Sequence, residues 1–156
     1  MLSALKYQVY DLCFSHPKES RFKTFFQELE NKGNQKAKKN TKIILKKIMT
    51  NNDKRTSIMV KNIPDNISEE QFEKIIFSLS KNVNFYYITK SAKAKNNRKI
   101  AFINVPYYKQ IISIYTGLLY KMQFRYNSPK MEICYSKHQG KDRLTQKYFF
   151  NFKKSI

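Results

Sequence analysis

The chain has 156 residues and a formal net charge of +20, because 31 lysines and arginines stand against 11 aspartates and glutamates. That length supports one compact domain of ordinary size with room for an appendage. The charge predicts a polyanionic partner, although a compositional bias toward Lys, Asn, Ile and Tyr accounts for part of it.

Residues 1–54 are predicted to form a helical, Lys-rich N-terminal extension and linker. Its clearest helix places four apolar side chains at helical spacing ahead of Gly33, namely Phe22, Phe25, Phe26 and Leu29. We expect this stripe to pack against the rest of the chain, and a surface for ribonucleoprotein proteins is the alternative.

The Lys-rich segment that follows has three interpretations, which the residues do not separate. It is a flexible linker that also touches nucleic acid, a nuclear-localisation signal, or a plain solvated linker. Within it, the apolar residues from Ile43 to Met49 indicate a short basic amphipathic helix.

From Arg55 onward, strand and helix patterns alternate. Strands are predicted over residues 58–62, 85–90, 100–105 and 131–135. One helix begins at the capping box Ser68–Gln71, and a second covers residues 107–120 with Ile111, Ile114, Tyr115 and Leu118 on one face. A third helix is predicted over 141–150, with Leu144, Tyr148 and Phe149 on its apolar side, before a basic tail at 151–156.

The element order βαββαβ predicts an α+β, ferredoxin-like domain over residues 55–150. It has a four-stranded antiparallel sheet, two helices on one face and an extra C-terminal helix. This is the skeleton of an RNA-recognition motif, or RRM. The extra helix either packs beside the sheet or covers part of its open face.

Four runs of this skeleton resemble the C-terminal RRM of Mei2-like proteins. They are Ser57–Pro64, Phe85–Ile88, Ala101–Asn104 and Tyr135–Lys141, and the last contains Gln139-Gly140-Lys141, which ordinary RRMs lack. The resemblance covers residues 55–150 and implies a non-catalytic RNA-binding domain to which the third helix belongs.

The chain departs from the Mei2-like pattern in its third strand. Lys99 and Ile100 stand where a glycine and an aromatic residue are usual, and Val105 stands where another aromatic is usual. The chain also has room for only one RRM, so no meiotic or developmental role is carried over with the fold.

Alternation along the strands places one set of side chains on the open face of the sheet, where RRMs stack single-stranded RNA bases on aromatic rings. In RRMs the positions of Met59, Ile100 and Phe102 are most often aromatic, and only Phe102 is aromatic in this chain. In the alternative, Met59 and Ile100 pack under the third helix. The predicted RNA-binding residues are Met59, Lys61, Tyr87, Arg98, Lys99, Ile100, Phe102, Asn104, Tyr135 and Lys137.

A second function stays open. The protein is then a structural or protein-interaction subunit of a ribonucleoprotein particle, with its sheet covered by the third helix and its basic segments holding the RNA. No paired carboxylates, nucleophile arrangement or Gly-rich phosphate loop is visible, so we expect no enzyme activity and no cofactor. Zinc bound by Cys13, His16, Cys134 and His138 is disfavoured because the two pairs lie far apart.

Cysteine usage and hydropathy predict an intracellular protein. Cys13 and Cys134 are too few for a disulfide framework. No stretch approaches the roughly 20 apolar residues of a membrane span, and no secretory signal is apparent. We therefore expect no membrane contact and a place in the nucleus or the cytoplasm, with the nucleus preferred.

Overall fold

The structure, a computed structural model, describes residues 40–91, 98–124 and 131–150. The predicted N-terminal helix with Phe22, Phe25, Phe26 and Leu29 lies outside the described residues. So do most of the predicted Lys-rich linker, residues 92–97, residues 125–130 and the predicted basic tail at 151–156.

The described elements follow the predicted order, with a short helix before them and a helical segment after them. The strands are β1 (Ser57–Ile63), β2 (Phe85–Lys90), β3 (Lys99–Asn104) and β4 (Glu132–Tyr135). The helices are α1 (Leu45–Met49), α2 (Glu69–Leu79), α3 (Gln110–Phe124) and α4 (Lys141–Thr145). A π-helical turn, Gln146–Phe150, continues α4, and we call Lys141–Phe150 the C-terminal helix.

The four strands form one antiparallel sheet in the order β2-β3-β1-β4, which confirms the predicted α+β fold. Across the sheet, Phe102 of β3 pairs with Met59 of β1 and with Tyr87 of β2. Since directly paired residues share a face, these three side chains lie on one face, which we call the outer face. Their neighbours Ile58 and Ile103 lie on the opposite face, in the core.

The main core lies between this opposite face and helices α2 and α3. Helix α2 begins with the predicted capping box, in which the Gln71 N–H donates to Ser68 Oγ (3.1 Å) and the Ser68 N–H donates to Gln71 Oε1 (2.9 Å). The predicted apolar face of the second helix is also confirmed, because Ile111, Ile114, Tyr115 and Leu118 are all fully buried.

The segment before β1 belongs to the same core, so the folded domain begins upstream of the boundary that we expected at residue 55. Ile43, Leu45 and Ile48 are at most 2% exposed and pack within the main core. The Tyr135 N–H donates to the Thr41 carbonyl (2.8 Å), which attaches this segment to β4. The lysines of α1 are exposed while its apolar residues are buried, and a high lysine content therefore does not make the segment a linker.

Arg55 fastens the end of this segment to the sheet. Its guanidinium pairs with Asp53 (2.7 Å), donates to the Asn40 carbonyl (2.6 Å) and lies 3.9 Å from the centroid of the Tyr135 ring. Burial alone raises the pKa of Asp53, but the hydrogen bonds and charge of Arg55 outweigh it and hold that pKa below its ordinary value.

Two isoleucines of the upstream segment provide a matched test of its burial. Ile48→Ala should lower the free energy of unfolding by about 2–5 kcal/mol, because it leaves a cavity in the core. Ile44→Ala should change it by less than about 0.5 kcal/mol, because Ile44 is 40% exposed. Urea unfolding of the two variants measures both values, and equal small effects would show that the segment does not belong to the core.

Asp53 should contribute to the acid sensitivity of the fold. Because its pKa is lowered in the folded state, its stabilisation is present above the unfolded-state pKa and is lost as pH falls through the folded value. Asp53→Asn should remove about 1 kcal/mol of stability at neutral pH and flatten the decline of stability in acid.

Urea unfolding at a series of pH values measures this effect. Asp65→Asn, at an exposed position, is the control and should leave the acid decline unchanged. An identical acid decline in Asp53→Asn and the unmodified chain would contradict the assigned role of Asp53.

Candidate nucleic-acid interface

The outer face of the sheet is covered by the C-terminal helix. Phe85, Phe102 and Leu144 form a buried cluster there, separate from the main core, and the partly buried Met59, Tyr87, Ile100 and Tyr148 pack around it. Of the two placements that the sequence left open for the third helix, the structure therefore has the one over the sheet. Met59 and Ile100 lie under this cover.

Contacts between aromatic rings join the C-terminal helix to the outer face of the sheet. We call Phe102 and Tyr87 the aromatic pair. The Tyr148 ring stacks on Phe102 with centroids 4.3 Å apart and planes 29° apart, and on Tyr87 with 5.2 Å and 24°. Phe149 adds a tilted contact with Phe85 at 5.4 Å. As a result Phe102 is only 7% exposed.

The position of the C-terminal helix is set by an anchor just before its first residue. Gln139 makes four hydrogen bonds: its Oε1 accepts from the N–H groups of Thr56 and Ser57, and its Nε2 donates to the carbonyls of Ser57 and Ser136. The Gly140 N–H donates to Ser57 Oγ (2.8 Å). Gly140 has φ +95° and ψ 149°, a conformation that is close to glycine-only. The Gln139-Gly140 run therefore has a structural role, which is to fix the helix to the start of β1.

The amide of Asn104 is fully engaged in the same network. Its Oδ1 accepts from Thr56 Oγ1 (2.8 Å) and Ser57 Oγ (2.6 Å), and its Nδ2 donates to Asn84 Oδ1 (2.7 Å) and the Val105 carbonyl. With 3% of its surface exposed, Asn104 supports the anchor and offers no free edge to a base.

Two other predicted site residues lie away from the outer face. Tyr135 pairs with Ile58, which places its ring in the main core with no exposed surface. Lys99 pairs with the buried Ile63, and its Nζ donates to the Ile67 carbonyl (2.8 Å). The structure thus brings Met59, Tyr87, Ile100 and Phe102 together and separates Tyr135 and Lys99 from them.

Basic side chains surround the covered face. Lys61 lies on the outer face opposite Glu132, Arg98 precedes β3, and Lys137 is exposed after β4. Partial burial lowers the pKa of His138, and the nearby charges of Lys147, Lys137 and Arg143 lower it further. The region beside the C-terminal helix is therefore electropositive.

The described residues do not support a metal or nucleophile site. Within them, no group of three or more His, Cys, Asp or Glu side chains could hold a metal ion, and Cys13 and His16 lie outside them. Cys134 is buried in β4, and that burial raises the pKa of its thiol to about 11, which keeps it protonated at neutral pH. No helix in the described ranges is long and apolar enough to span a bilayer.

The sequence offered Phe102 as a seat for the third helix only as the alternative to RNA stacking, and it did not single out Tyr148 as the ring that lies there. Leu144 and Tyr148, four residues apart, mark one helix face, and that signal predicted an apolar side for the third helix. It did not show that this side contacts Phe102, because the contact depends on where the anchor to Ser57 starts the helix.

Comparisons with known proteins agree with this fold. A family model described as RNA recognition motif 2 matches residues 55–149. Protein MEI2-like 5 of Arabidopsis thaliana is 32% identical over 121 residues, and Protein MEI2-like 2 of Oryza sativa subsp. japonica is 32% identical over 110 residues. The aligned regions cover 76% and 69% of this chain but only 15% and 13% of those relatives. They confirm the resemblance to Mei2-like proteins that the sequence indicated.

The positive φ of Gly140 in this anchor can be tested by substitution. Gly140→Ala should lower the free energy of unfolding by about 1–3 kcal/mol, because alanine is strained at this positive φ. Lys141→Ala, at the next and exposed position, is the control and should change it by less than about 0.5 kcal/mol. Urea unfolding compares the two variants, and a neutral Gly140→Ala would show that the anchor does not constrain this residue.

Proposed function

The chain belongs to the RNA recognition motif 2 family, and from that premise we propose that it is a non-catalytic RNA-binding protein. In this proposal a single-stranded segment of RNA lies on the outer face of the sheet, where the aromatic pair stacks bases. The flanking contacts come from apolar side chains and from cations that meet phosphates, namely Met59, Ile100, Lys61, Arg98 and Lys137.

The observation that carries this proposal is the stacking of Tyr148. A flat ring already lies nearly parallel to both Phe102 and Tyr87, at centroid distances of 4.3 Å and 5.2 Å. This is the arrangement that a nucleobase adopts on an aromatic side chain. The aromatic pair therefore has the orientation and spacing that base stacking requires, and a base would bind there in place of Tyr148.

The free energies of these contacts make RNA binding to the aromatic pair feasible but weak. A base stacked on one aromatic ring contributes about 1–3 kcal/mol, so two stacked bases contribute about 2–6 kcal/mol. Against this, burial of Leu144 stabilises the cover by about 1.5–3 kcal/mol, and each aromatic contact of Tyr148 adds about 0.5–1.5 kcal/mol. Phosphate contacts by the surrounding lysines and arginines then supply the remaining, salt-dependent attraction.

A second function is favoured by a different observation. Leu144 is fully buried and Phe102 nearly so, which leaves little of the aromatic pair accessible while the C-terminal helix is in place. In this alternative the domain is a structural or protein-interaction subunit of a ribonucleoprotein particle, and RNA contacts only its basic surface.

Binding to a labelled single-stranded RNA pool, followed by fluorescence anisotropy at low and near-physiological salt, tests the proposal. Because Tyr148 and a base use the same ring, the role of Phe102 is measured in a Tyr148→Ala chain. There Phe102→Ala should weaken binding about tenfold or more at both salt concentrations, since one stacked base is lost. Lys61→Gln should instead lower the salt slope by about 0.7, as expected for one lost phosphate contact.

Two results would favour the alternative function. The first is equal affinity of the Tyr148→Ala chain with and without Phe102. The second is binding that disappears at near-physiological salt and is the same for single-stranded and duplex RNA, because contacts with phosphates alone do not distinguish the two.

A further inference from the structure

We infer that Tyr148 is an internal substitute for a nucleobase: it competes with RNA for the aromatic pair, so that the site opens only to a strand that offers an unpaired base. This inference rests on the proposed function and adds to it a ligand class and a residue that controls access.

The first support is that one side chain covers both rings of the site. The Tyr148 ring lies 4.3 Å from Phe102 and 5.2 Å from Tyr87, and these two are direct cross-strand partners. A base cannot stack on either ring from the same side while Tyr148 is there. Binding of RNA to the aromatic pair and seating of Tyr148 therefore exclude each other.

The second support is that the C-terminal helix can leave without unfolding the domain. Leu144 packs with Phe85 and Phe102 in a cluster that is separate from the main core, so its release uncovers these two rings but no side chain of the main core. The hydrogen-bonded anchor at Gln139 and Gly140 holds Ser57 and Thr56 and does not involve the aromatic pair. The helix can therefore swing away from the sheet while its first end stays attached.

The ligand class follows from the competition. When only a fraction of the protein is in the binding-competent state, its apparent affinity for the ligand is reduced by that fraction. The free energy of RNA binding must therefore offset the cost of moving Tyr148 off the aromatic pair. The single ring of Tyr148 contacts both Phe102 and Tyr87, so one unpaired base in its place makes both contacts. Bases inside a duplex are already stacked and paired, and they present no free face to the rings.

Affinity measurements on variants at position 148 test the competition. Tyr148→Ala should bind single-stranded RNA about tenfold more tightly than the unmodified chain, because the aromatic pair is uncovered more often. Tyr148→Phe keeps the stacked ring and should bind as the unmodified chain does. Weaker binding by Tyr148→Ala would mean that this ring contacts the RNA, and equal binding by all three chains would mean that it does not compete; either result overturns the inference.

A fluorescent reporter gives a second measurement that does not depend on the stability of Tyr148→Ala. The chain contains no tryptophan, so Tyr148→Trp places a single tryptophan in the stacked position, and its emission can be excited apart from that of the tyrosines. Addition of single-stranded RNA should move its emission to longer wavelength as the ring enters water, whereas Tyr107→Trp, at an exposed site that is 49% accessible, should show no such shift. Bound RNA with unchanged emission at position 148 would overturn the inference.

Oligonucleotides that carry bases at chosen positions on an otherwise abasic backbone test the ligand class. A strand with one unpaired base should give the emission shift of Tyr148→Trp, while a fully abasic strand or a blunt duplex should not; a shift with the abasic strand, or none with one base, would overturn the base requirement. If neither the unmodified chain nor Tyr148→Ala binds any single-stranded RNA, the proposed function itself fails. If both bind equally, the proposed function stands and only the inference fails.

Discussion

Ser57 is the point at which the first strand, the third strand and the C-terminal helix are joined. Its hydroxyl donates to Asn104 and accepts from the Gly140 N–H, while its backbone N–H and carbonyl both bind the side chain of Gln139. Because Ser57 and Asn104 are buried, each of their polar groups would be destabilising if it lacked a partner, and the network is therefore held as a unit. The direction in which the C-terminal helix crosses the sheet depends on it.

This anchor explains why the outer face carries apolar residues at positions where stacking aromatics are common. Met59 and Ile100 lie under the C-terminal helix, in which Tyr148 supplies an aromatic ring. Their side chains fill the space around Leu144. The domain therefore has two apolar clusters with different relations to water. The main core is sealed by α1, α2 and α3, and the outer cluster is sealed by one short helix with exposed cations, including Lys141 and Arg143.

Local patterns in the sequence were sufficient to predict the secondary structure and the element order. The capping box at Ser68, the helical faces and the alternation of the strands depend only on neighbouring residues, so they could be identified without the fold. The site was less predictable because it depends on register. Whether Tyr135 faces the core is decided by its pairing with Ile58. Lys99 faces away from the outer face because it stands three residues before Phe102 in β3, which pairs with β2 in regular register.

The arrangement of contacts along the chain also has a consequence for the order of folding. The Tyr135 N–H donates to the Thr41 carbonyl, and the Ser57 N–H donates to Gln139 Oε1. Both hydrogen bonds join distant parts of the chain. Contacts of such long sequence separation form slowly, and the C-terminal helix follows in the chain everything that it covers. The aromatic pair is therefore sealed by a segment that follows both β2 and β3 in the chain, and until that segment docks the two rings are exposed to water and to other molecules.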